Sequence, residues 1–169
     1  MSTITILEFP DDRLRTIAKP VTLPDENLKQ LAIQMGVVMY AAPGIGLAAT
    51  QVDRPYRLFV MDLSEEQNSL EQYFNPVIIE RDGQTDSEEG CLSVPGFYER
   101  VERAESIVLR WQNSDGDFFE DSFTGMAAIC IQHEVDHLDG KLFVDHISGL
   151  KRDRIRKKLV KIHRQAEAG

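Results

Sequence analysis

The five residues His133-Glu134-Val135-Asp136-His137 constrain this chain more than any other stretch. They follow Met126-Ala127-Ala128-Ile129-Cys130-Ile131, which is apolar on most sides, so Met126 to about Leu138 reads as a helix at the centre of the fold. A buried helix that carries two imidazoles and two carboxylates must find a partner for each of them. Histidines four residues apart share one helical face, roughly 6 Å from each other, so both rings can reach a single metal ion. Two of the chain's four histidines lie in this pattern. Glu134 adjoins His133 and precedes His137 by three, which sets its carboxylate beside such an ion without forcing it to bind.

The rest of the 169-residue chain fits one α+β domain, with antiparallel strands around the central helix and a further helix at the C-terminus. Ile4 to Phe9 reads as a short strand. Pro24-Asp25-Glu26 opens a helix to about Tyr40, with Leu28, Leu31, Ala32, Met35 and Met39 at helical spacing. Arg57–Asp62, Tyr73–Glu80, Val101–Gln112 and Phe118–Phe123 read as strands, with turns at Asp82-Gly83 and Asp115-Gly116. A last helix begins at Ser148, an N-cap residue, and runs to about Arg164. Residues 1–147 are expected to form the catalytic domain and 148–169 a helix appended to it. The longest apolar stretch, Leu31 to Thr50, is broken by Gln34, Gly36, Pro43, Gly44 and Gly46, so no membrane partner is expected. The N-terminus lacks a secretory pattern, which points to the cytoplasm.

A catalytic metal centre keeps three protein ligands and one open position. The metzincin pattern continues through Gly140 but requires His at 143, where Phe143 stands. A thermolysin-type site takes a downstream Glu, and only Glu167 follows Glu134. Cys130 lies on the histidine stripe, yet seven residues, roughly 10 Å, separate it from His137 along the axis. It suits an apolar wall better than a ligand, and this weighs against a closed structural cage of Cys91, Cys130, His133 and His137. Cys91, in Glu88-Glu89-Gly90-Cys91-Leu92-Ser93-Val94-Pro95, is the remaining thiol; its nearby acidic groups are suited to holding ligands in place. The expected set is Cys91, His133 and His137. Thiolate and imidazole suit Fe2+, Zn2+, Ni2+ and Co2+ alike.

Three segments in order, Gly44-Ile45-Gly46-Leu47-Ala48-Ala49-Thr50-Gln51, Glu89-Gly90-Cys91-Leu92-Ser93 and Gln132-His133-Glu134-Val135-Asp136-His137-Leu138, make the chain resemble the bacterial peptide deformylases. The likeness runs from Pro10-Asp11 to the terminal helix. It implies a metal-dependent hydrolase that removes the formyl group from the formyl-methionine of new polypeptides. Under that resemblance Glu134 is general base and then acid, Gln51 and the Leu92 N–H bind the formyl oxygen, and Gly46 meets the substrate backbone. Ile45, Met126, Ile129 and Cys130 surround the methionine side chain, and Fe2+ is the implied ion. Ser87 stands where many members carry an aliphatic residue, and Gly96-Phe97-Tyr98 offers an aromatic lining for the peptide groove.

Charge divides the chain in two. The net charge of −9 argues against DNA as a partner, but eight Lys/Arg and two Asp/Glu follow residue 147, giving that segment +6 and the body −15. On a helical wheel Ile155, Leu159 and Ile162 form one stripe, and Arg154, Lys157, Lys158, Lys161 and Arg164 gather opposite it. An anionic partner would relieve that repulsion; the resemblance makes it the ribosome.

Overall fold

The computed structural model describes residues 3–168. A helix α1 (Glu26–Ala41) starts at Asp25, whose carboxylate accepts the Leu28 N–H at 3.2 Å, and buries Leu28, Leu31, Ala32, Met35 and Met39. The Gly44–Gln51 segment becomes a short strand β1 (Gly46–Ala48) and a 3-10 turn, Ala49–Val52. Strands β2 (Leu58–Met61), β3 (Glu71–Asp82), β6 (Ser106–Gln112) and β7 (Phe118–Thr124) join β1 in one antiparallel sheet of order β1-β2-β3-β6-β7. Strands β4 (Thr85–Cys91) and β5 (Val94–Arg103) form a separate hairpin.

Strand alternation sends successive side chains to opposite faces, and a helix covers each face. Leu58, Val60 and Phe74 pack with α1; Phe59, Met61, Tyr73, Ile107 and Leu109 pack with the second helix, α2 (Gly125–Leu138). That explains why all four residues of β2 are buried. A third apolar cluster joins the hairpin's Val94 and Val101, Phe143, and Ile155 and Leu159 of the last helix, α3 (Gly149–Ala168). The antiparallel architecture around a central helix agrees with the expectation from sequence.

Four details differ. Ile4 to Phe9 is not a strand: it runs extended and makes isolated bonds, Leu7 N–H to Gln51 O and Phe9 N–H to Ser93 O, both 2.7 Å, so it ties two loops together rather than extending a sheet. The segment around Cys91, which lies outside the strands expected from the sequence, is the end of a hairpin. The expected strand 101–112 is two strands, interrupted at Ala104-Glu105 where the chain passes from the hairpin to the main sheet. Helix α3 extends to Ala168, and Ile162 is 51% exposed; the face turned inward runs instead through Ile155, Leu159 and His163, whose Nε2 lies 2.8 Å from Glu8. Lys158, exposed like the other outward charges, holds its ammonium over the Phe97 ring. Among the described residues no helix is long and apolar enough to cross a membrane.

Helix α2 ends immediately after its second histidine in a Schellman motif. Gly140 N–H bonds to His137 O at 3.1 Å and Lys141 N–H to Asp136 O at 2.8 Å. Gly140 has φ +77°, and a Cβ there would lie 2.6 Å from the Arg15 backbone oxygen. Gly140→Ala is therefore expected to destabilise the protein by roughly 1–3 kcal/mol, read as a lower denaturant midpoint with unchanged slope.

Candidate metal centre

Helix α2 and the β4–β5 hairpin bring three ligand atoms together. The Nε2 atoms of His133 and His137 are 3.1 Å apart, and Cys91 Sγ is 3.3 Å from His137 Nε2. All three lie within 4.8 Å of one another. A tetrahedral ion with bonds of about 2.1 Å to nitrogen and 2.3 Å to sulfur spaces such atoms about 3.4–3.6 Å apart, close to the two pairs at 3.1 and 3.3 Å, so the donor set fits one ion. Among the described residues this is the one His/Cys/acid group so arranged, and Cys130 lies outside it.

The ligands are held from behind. Glu89 faces His133 Nδ1 at 2.8 Å and takes two bonds from Arg103, from Nε at 2.7 Å and Nη2 at 2.8 Å. Arg103 also reaches Asp136 at 2.6 Å, and Asp136 meets His146 at 2.8 Å. Burial would raise Glu89 and Asp136, but their bonds to Arg103 and the two histidines outweigh it and hold both at about 2. Burial likewise opposes charge on His133, yet the acceptors Cys91 and Glu89 keep its pKa well above the usual value. Glu89 at Nδ1 also fixes the ring so that Nε2 faces the cluster. Thr50 Oγ donates to the His137 backbone oxygen at 2.9 Å.

Gln51 is fixed on both sides of its amide. Its oxygen accepts the Ala48 N–H at 2.9 Å, and its nitrogen donates to Ser93 Oγ at 3.0 Å and, weakly, to Cys91 Sγ at 3.5 Å. Ser93 N–H points at the same sulfur, 3.4 Å away. Gly46 is required by contact: a Cβ on it would stand 2.6 Å from Glu134 Oε2 and 3.0 Å from Cys130 Sγ. Glu134 Oε1 is buried and has no hydrogen-bond partner among the described residues. Burial, helped by the charge of Glu89 and opposed by His133, pushes the Glu134 carboxyl up to about 7.

Beside this cluster opens a cleft of about 770 Å3. Its lining includes every residue expected from the sequence except His137, which lies behind it: Gly46, Ile45, Gln51, Cys91, Leu92, Met126, Ile129, Cys130, His133 and Glu134. Ser87, Phe97 and Tyr98 line it as well. Burial raises the Cys130 thiol well above its ordinary pKa, with Glu134 adding to the effect, which suits a wall rather than a nucleophile. Reasoning from sequence did not find Arg103, Asp136 and His146 as supports. Arg103 stands 14 residues from Glu89 and 33 from Asp136, a separation that no local motif marks.

Residues 3–153 match the polypeptide deformylase family. The peptide deformylase of Azotobacter vinelandii is 56% identical over 169 residues, covering 98% of this chain and 99% of that protein. A crystal structure of a peptide deformylase from Legionella pneumophila superposes with a TM-score of 0.92 at 44% identity, covering 99% of each chain. The class I type b peptide deformylase of Acinetobacter baumannii, determined with Met-Ala-Ser bound, superposes with a TM-score of 0.80 at 34% identity and covers 86% of this chain and 99% of that one.

The raised carboxyl of Glu134 carries a cost to the fold. Its folded pKa, about 7, exceeds the ordinary 4.5, so ionisation works against the folded state once pH rises through that window. In protein stripped of metal, Glu134→Gln is expected to raise the denaturant midpoint at pH 8 and to change it little at pH 4, where the carboxyl is mostly protonated in both states.

Proposed function

The chain belongs to the peptide deformylase family, and on that premise we propose how its residues divide the work of a metal-dependent hydrolase that removes the N-formyl group of newly made peptides and releases formate. The observation that carries the assignment is the Cys91–His133–His137 cluster with a buried, unpartnered Glu134 oxygen in the same cleft. Cys91, His133 and His137 would hold a divalent ion, which would supply Lewis acidity and a water of lowered pKa. Fe2+ is our assignment, with Zn2+, Ni2+ and Co2+ compatible with the same donors.

Glu134 takes a proton from the attacking water and returns it to the departing amine. A carboxyl near 7 can serve in both directions at neutral pH. Gln51 exchanges its long contact to Cys91 for the formyl oxygen as charge develops there, while Ser93 keeps the amide aligned; the Leu92 N–H is the second donor. Gly46 lets the substrate backbone approach. Ile45, Met126, Ile129 and Cys130 take the methionine side chain, with Ser87 adding a hydroxyl at the pocket wall. The Met-Ala-Ser bound to the Acinetobacter baumannii relative supports a peptide with methionine first.

We assign residues 1–147 as the catalytic domain acting in the cytoplasm and 148–169 as its docking helix. Arg154, Lys157, Lys161 and Arg164 form the face offered to the ribosome, supported by the +6 charge of that segment. A metallopeptidase cutting internal amides is the competing activity, separated by comparing formyl-Met-Ala with a blocked, unformylated peptide.

Protein purified without oxygen is expected to hydrolyse formyl-Met-Ala and to carry one equivalent of ion by metal analysis. Glu134→Gln should keep the ion and lose about 10²-fold or more in kcat; retained turnover would show that another group is the base. The Lys157→Glu/Lys161→Glu double variant should co-sediment less with ribosomes at low salt, with formyl-Met-Ala hydrolysis maintained.

A further inference from the structure

Helix α3 reaches both walls of the cleft. On one side His163 Nε2 lies 2.8 Å from Glu8, and on the other the Lys158 ammonium sits 5.9 Å from the centroid of the Phe97 ring; Glu8 and Phe97 both line the cleft. Two of the charges near Lys158 on the helix are matched. Lys151 pairs with Glu99 at 3.3 Å and Lys157 with Asp153 at 3.0 Å. Lys158 itself makes no ion pair among the described residues; its one recorded contact is the aromatic ring.

The lining of the cleft contains Glu8, Glu88, Glu89 and Glu134 and no Lys or Arg. The lining itself therefore offers an acidic side chain on a bound peptide no cation, and Lys158, beside the lining residue Phe97, supplies one. We propose that Lys158 is a specificity-determining residue for the peptide, receiving an acidic side chain downstream of the formylated residue.

Register gives the distance. In the hairpin Cys91 pairs with Val94 and Glu89 with Glu99, so Phe97 lies across the ladder from the end of β4 that carries Cys91. One cross-strand step of about 5 Å, the length of the Phe97 side chain and the 5.9 Å ring contact put Lys158 at most about 15 Å from Cys91, the reach of three to five extended residues. The third and fourth positions of a peptide whose formyl group lies at Cys91 are thus in reach. The Phe97 face holds the ammonium beside the cleft lining.

The inference rests on the deformylase reading, and the test keeps the two apart. C-terminally amidated formyl-Met-Ala-Ala-Xaa and formyl-Met-Ala-Xaa-Ala, with Xaa Glu or Gln, leave the Glu side chain as the one added charge. The full-length protein with its metal is expected to favour Glu over Gln about three- to fivefold in kcat/KM at one of the two positions at low salt. The ratio should approach one in Lys158→Ala, fall below one in Lys158→Glu, persist in Arg156→Ala and fade at about 0.5 M salt. A ratio of one in the unaltered protein, or a ratio untouched by Lys158→Ala, overturns the assignment. So does a parallel loss on the Glu and Gln peptides, which would mark Lys158 as structural. If no formyl peptide is hydrolysed, the activity reading fails, and the Glu-to-Gln ratio of Kd for the unformylated peptides still decides Lys158.

Discussion

Arg103 joins the elements that the site depends on. Its side chain is 3% exposed and its guanidinium bridges Glu89 of β4 and Asp136 of α2, at 2.7 and 2.6 Å. The hairpin that brings Cys91 and the central helix belong to different apolar clusters, so these buried charges are the direct tie between the strand that carries the sulfur and the helix that carries the two histidines. Breaking such a cluster by removing one member costs about 3–5 kcal/mol, because the charge left behind stays out of water. The same carboxylate that anchors Arg103 faces His133 Nδ1, so one buried ion pair sets both the spacing of the ligands and the ring orientation of one of them.

The parts of this arrangement that are local were legible in the sequence. The histidine spacing, the apolar run before it and Gly140 after it describe α2, and the helix, sheet and terminal helix followed from periodicity. Strand β4 escaped because Thr85-Asp86-Ser87-Glu88-Glu89-Gly90-Cys91 carries almost no apolar residue. Its order comes from pairing with β5 and from the buried salt bridge, neither of which leaves a period in the sequence. Ile4 to Phe9 had the composition of a strand, but its neighbours are a 3-10 turn and a hairpin tip, and these offer single hydrogen bonds rather than a ladder. The inward face of α3 was misplaced by one position because a polar contact, His163 to Glu8, takes the place where an apolar residue was expected.

Of the candidate site residues, those inside motifs came together as the spacing required, and Cys130 took the wall position that the axial distance demanded. Arg103, Asp136 and His146 could not be found in the same way. They act across strands and loops, and a lone arginine at a strand end looks the same whether it faces solvent or two buried carboxylates.

The charge of the chain acquires a spatial meaning once the cleft is seen. The body carries −15, and four carboxylates line the cleft, two of them beside the metal ligands. Such a site favours a cation at the Cys91–His133–His137 cluster and disfavours a second negative charge on anything that enters. Glu134 bears that effect most directly: desolvation and Glu89 raise its carboxyl to about 7, where it can hold or release a proton. A cation bound among the ligands would relieve the same repulsion, so the features that make the empty cluster unfavourable at high pH are those that make it bind metal. Stability and chemistry are therefore opposed at Glu134 and aligned at Arg103. The first residue is free to be costly because the second, one layer further in, holds the ligands in place regardless of its protonation.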